Sequence, residues 1–150
     1  MFTPMYRAKS RETNEFIYGL PYQDGFGVWF MHSRKDKHSP IELIPETITI
    51  GTGRKDKNNV MIFEGDIVKI PSAISDECHK YVILYNKNTM AFELRLVYEE
   101  FNSFSYAGST FPSFFTSCEY CSEEIEVVGN IFDMMPRLKN GRYIWRWINH

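Results

Sequence analysis

Between Ala91 and Leu96 apolar and charged side chains alternate, with Phe92, Leu94 and Leu96 on one parity and Glu93 and Arg95 on the other. A β-strand points successive side chains to opposite faces, so this run predicts a half-buried strand with the three apolar residues toward a core and Glu93 and Arg95 toward water. The rest of the chain uses the same vocabulary. Ile, Val, Thr, Phe, Tyr and Trp make up 53 of the 150 residues, whereas Ala and Leu together supply ten. Branched and aromatic side chains suit a pleated surface and lose rotamer freedom in helices. Strand-like runs are expected at Glu15–Tyr22, Phe26–His32, Thr47–Gly51, Val60–Phe63, Asp66–Ile70, Lys80–Asn86, Met90–Tyr98 and Glu124–Phe132, each bounded by Gly, Pro, Asn, Asp or Ser. Asn86-Lys87-Asn88 reads as a hairpin turn, and Glu64-Gly65-Asp66 as a tight turn that needs glycine's freedom at positive φ.

Helical signals are few. Phe111, Phe114, Phe115 and Cys118 recur at i, i+3, i+4 and i+7 behind Thr110, and Val97, Phe101 and Phe104 continue that spacing upstream. The expected fold is mainly β, with α+β as its variant. A small SH3-like or partly open β-barrel core would be formed by about 47–70, 80–98 and 124–132, with a short helical or irregular aromatic-rich insertion at about 97–122. One β-rich domain over 1–136 and a basic aromatic tail over 137–150 account for the length.

Charge is uneven. Leu96–Pro136 holds seven acids and no Lys or Arg, and Arg137–His150 holds four bases and no acid, so the tail could dock on the acidic stretch or both could be solvated surface. The net charge of −2 gives no global pull toward nucleic acid or an anionic bilayer. No apolar run approaches the roughly 18 residues that span a membrane, and the first residues lack a signal peptide's apolar region. A cytoplasmic location in a host cell, without membrane association, is the expectation.

Three segments resemble the YopX family, small proteins encoded mostly by phages and prophages of Gram-positive bacteria. Tyr6-Arg7-Ala8 with Phe16-Ile17-Tyr18-Gly19 is similar to that family's opening. Pro45-Glu46-Thr47-Ile48, Thr52-Gly53-Arg54-Lys55-Asp56-Lys57-Asn58-Asn59 and Ile62-Phe63-Glu64-Gly65-Asp66-Ile67-Val68 resemble its central pattern, and Val127-Val128-Gly129-Asn130-Ile131-Phe132 its closing segment. The family's Asn-Gly turn stands here as Asn58-Asn59. The resemblance implies a phage or prophage origin and a role outside housekeeping; it implies no activity, cofactor or catalytic residue.

The chemistry-bearing residues have plainer readings. Cys118-Glu119-Tyr120-Cys121 has metal-ligand or redox spacing, but no βαβ setting surrounds it, and Cys78-His79 is a poor second pair because neighbours on a strand point apart. Buried or incidental thiols are expected. Glu64 and Asp66 could be the paired acids of a hydrolase or metal site, or simply turn residues. His32, His38, His79 and His150 are scattered, and Gly51-Thr52-Gly53-Arg54-Lys55 lacks the spacing of a phosphate loop. Neither an enzyme nor a cofactor is expected.

Two features read as binding surfaces. Aromatic residues crowd the uncharged segment from Phe101 to Cys118, where Phe104, Phe111, Phe114 and Phe115 are either core filler or an interface for a partner or a second copy. In the tail, Arg142, Tyr143, Trp145, Arg146 and Trp147 alternate bases with aromatics, suited to base stacking, to a hydrophobic groove, or to a final strand. The expected function is non-enzymatic protein–protein binding, with a host factor such as a defence nuclease or a homo-oligomer as partner. Nucleic-acid binding through the tail is the alternative.

Overall fold

In the computed structural model the described residues are 6–32, 38–71, 76–100, 103–106 and 124–134. They fall into two compact units, divided at the Gly51–Thr52 bond. The strands are β1 (Tyr6–Lys9), β2 (Phe16–Gly19), β3 (Tyr22–Gln23), β4 (Trp29–His32), β5 (Pro40–Glu42), β6 (Thr49–Lys55), β7 (Met61–Phe63), β8 (Asp66–Pro71), β9 (Cys78–Asn86), β10 (Ala91–Glu100), β11 (Ser103–Tyr106) and β12 (Glu126–Asn130). A 3-10 turn at Pro45–Thr47 precedes β6, and a single helical turn, α1 (Ile131–Met134), follows β12.

The mainly-β expectation holds. The strands form antiparallel sheets in the orders β2-β1-β6-β7, β3-β4-β5 and β11-β10-β9-β8-β12. None of these sheets closes into a barrel among the described residues. The first unit packs Ala8, Met31 and Leu43 at its centre, flanked by Tyr6, Ile17, Trp29 and Ile48. In the second unit β9 is covered on both faces, since Val82, Ile83 and Leu84 are all buried. Tyr85 meets its cross-strand partner Phe92 edge to face, 5.3 Å between ring centres.

Three expectations change. Glu93, expected in water, is 5% exposed; it accepts hydrogen bonds from Asn86 Nδ2 (2.7 Å) and from Arg95 Nη2 (3.0 Å) and Nε (3.3 Å), which satisfy the buried charge. The helix-like spacing of Val97, Phe101 and Phe104 does not make a helix: β10 and β11 pair antiparallel, Val97 opposite Tyr106 and Glu99 opposite Phe104. Backbone pairing there outweighs a spacing that only three residues carried. The expected strand Glu124–Phe132 ends at Asn130, where Asn130 Oδ1 accepts the Asp133 N–H (3.1 Å) and starts α1.

Candidate functional site

β3 and β4 are joined by a turn, Asp24-Gly25-Phe26-Gly27-Val28. Asp24 Oδ1 accepts the N–H groups of Phe26 and Val28, each at 2.9 Å. The Asp24 N–H donates to the Val28 carbonyl (2.9 Å), the Gly27 N–H to the Asp24 carbonyl (3.2 Å) and Gln23 Nε2 to the Gly27 carbonyl (3.0 Å). Gly27 sits at φ +84°, a conformation that costs an L side chain energy and glycine none. This network fixes the loop and leaves Phe26 at its apex 94% exposed. Tyr18, Leu20 and Tyr22, just upstream, are also exposed.

At the base of the hairpin Tyr22 stacks on Phe30 and on His32, with ring centres 5.9 and 5.5 Å apart, and its hydroxyl shares a hydrogen bond with His32 Nε2 (3.1 Å). Phe30 also walls an open depression of about 450 Å³, where Arg11 and Glu42 pair at 3.4 Å. That pair is half exposed and contributes little to stability. Aromatic faces beside polar tips are what recur at protein interfaces.

On β1, Arg7 and Lys9 are buried and lie over the Phe16 ring, 4.2 and 5.2 Å from its centre. Cross-strand register explains this, because Lys9 faces Phe16 on β2.

The acids of the central pattern serve the backbone. Asp66, 1% exposed, accepts the Phe63 N–H through Oδ2 (2.8 Å), closing the β7–β8 turn around Gly65, which is at φ +87°. The Gly65 N–H donates to the Ile83 carbonyl (2.7 Å), its carbonyl accepts from Ile131 (2.9 Å), and a Cβ there would come within 3.2 Å of Phe132. The closing segment therefore packs on the central turn. Glu64 has its carboxyl pushed up to about 6 by burial, opposed by a hydrogen bond from the Tyr85 backbone N–H and by Lys87. The paired acids thus hold two different backbone amides rather than a common substrate position.

Phe104 lies on β11 opposite Glu99. Phe111, Phe114, Phe115, Cys118, Cys121 and the tail residues Arg142, Tyr143, Trp145, Arg146 and Trp147 lie outside the described residues. Cys78 is exposed on β9. No group of three metal-ligating side chains occurs among the described residues, and no helix among them is long and apolar enough to cross a membrane. The sequence reading placed Phe26 at the start of a strand; the local signal that marks it as a turn apex is Asp-Gly before it and Gly after it.

A family model described as YopX protein matches residues 5–139. No curated protein matches the chain. Among solved structures, the crystal structure of protein EF1440 from Enterococcus faecalis is similar to it, with 21% identity and a TM-score of 0.41 over 87% of this chain and 94% of that one.

Proposed function

This chain belongs to the YopX family, and we propose that it is a non-enzymatic accessory protein of phage or prophage origin that acts by binding another protein, a host factor such as a defence nuclease being the target class. The observation that carries the reading is the set of exposed large apolar side chains Tyr18, Leu20, Tyr22 and Phe26, the last at the apex of a hairpin with a fixed turn. Aromatics presented on a fixed frame bind with little loss of conformational freedom. The acids that could have suggested hydrolysis instead accept backbone N–H groups.

The test is affinity capture of the tagged chain from a bacterial lysate, with and without nuclease, followed by mass spectrometry. A stoichiometric protein that survives nuclease supports the reading. Nuclease-sensitive nucleic acid would replace it with binding through Arg142, Tyr143, Trp145, Arg146 and Trp147, and recovery of the chain alone would overturn both.

A further inference from the structure

The second unit contains the same turn as the β3–β4 hairpin. In Asp56-Lys57-Asn58-Asn59-Val60, Asp56 Oδ1 accepts the N–H groups of Asn58 and Val60, both at 2.9 Å. The Asp56 N–H donates to the Val60 carbonyl (2.8 Å) and the Asn59 N–H to the Asp56 carbonyl (3.0 Å). Asn59 occupies the left-handed position at φ +64°, as Gly27 does at +84°. Phe26 therefore corresponds to Asn58, also exposed. The turn is built equally well around a polar residue at that position, so folding does not call for a phenylalanine there.

We propose that Phe26 is the anchor by which the β3–β4 hairpin docks on its partner, inserting into a protein pocket with an apolar floor and a basic rim. This rests on the protein-binding reading and names the contact within it. A ring held clear of its own chain gains most from transfer into an apolar pocket, and the fixed turn removes the ordering cost. Charge selects the rim: from Tyr22 to His32 the hairpin's only Asp, Glu, Lys or Arg is Asp24, exposed and two residues from Phe26. That carboxylate disfavours a phosphate backbone or an anionic bilayer against the ring and favours a basic side chain beside it.

The experiment places the photo-crosslinking residue p-benzoylphenylalanine at position 26 of the full chain, and at position 58 as the matched control, in a bacterial lysate. Position 26 is expected to give a discrete protein adduct that position 58 does not. Excess wild-type chain should abolish the adduct, while a Phe26→Ser chain, folded to the same urea midpoint, should compete at least tenfold less well. Asp24→Asn, which keeps the turn's acceptor oxygen and removes its charge, should lower the yield severalfold. Equal competition by Phe26→Ser, the same adduct from position 58, or an adduct to a second copy or to nucleic acid would overturn the proposal; an unchanged yield with Asp24→Asn would overturn the basic rim. If a protein captured by the wild-type chain is captured equally by Phe26→Ser, the anchor fails and the protein-binding reading stands. If the wild-type chain captures no protein, both fail.

Discussion

The turns at Asp24–Val28 and Asp56–Val60 share one backbone design and differ in what is attached to it. Asp56 also accepts the Val127 N–H through Oδ2 (3.0 Å), the Lys57 N–H donates to the Ile125 carbonyl (2.8 Å), and Lys57 Nζ pairs with Glu126 at 3.2 Å. The second turn is thereby joined to the chain at β12, covers that strand's outer edge, and buries its own aspartate. Asp24 remains exposed, and its turn carries Phe26 instead of a structural attachment. An identical local fold is structural in one place and free to present a side chain in the other.

The largest effect should come from Asp56→Ala, which leaves the amides of Asn58, Val60 and Val127 without their acceptor. A loss of about 3 kcal/mol or more in urea unfolding is expected, because amides left unmatched near the interior each cost about 1–3 kcal/mol. Glu64 is a further carboxylate that serves a backbone amide. Its carboxyl, raised from 4.5 to about 6, binds a proton more tightly in the folded chain, so its contribution falls as pH rises from 4.5 through 6 and stays low above that. Glu64→Gln keeps an acceptor for Tyr85 and should stabilise the chain by about 1–2 kcal/mol at pH 7.5, with the gain vanishing below pH ~4.5. A gain that persists at pH 4 would assign the effect to packing.

Asp24→Ala should cost about 1 kcal/mol, since water can replace the lost acceptor in an exposed turn. A loss matching that of Asp56→Ala would break the contrast between the two turns. The smallest effect sharpens their equivalence. Asn59→Gly and Gly27→Asn exchange the two residue types that tolerate left-handed backbone, and each should move stability by less than about 1 kcal/mol. Gly27→Val, by contrast, should cost about 2 kcal/mol if the positive φ is held as described.

Much of the second unit was legible in the sequence. Period-two alternation located β7 to β10 to within a residue or two at most ends, and Gly65 was marked by its place between two acids in a turn. The short strands β1, β5 and β11 were missed; each is three or four residues long and is fixed by pairing with a neighbouring strand. Phe26 was absorbed into a neighbouring apolar run, although Asp24-Gly25 and Gly27 around it carry the turn signal.

The sequence by itself determined the β character, the turn residues and the family, since each depends on side-chain shape, backbone freedom or the order of residues along the chain. Only the tertiary structure decided that Glu93 is buried, that Asp56 reaches Val127, and that Phe26 stands clear while Phe63 and Phe132 are enclosed. Burial and long-range hydrogen bonds depend on which segments the fold brings together, and a linear pattern carries no record of those partners.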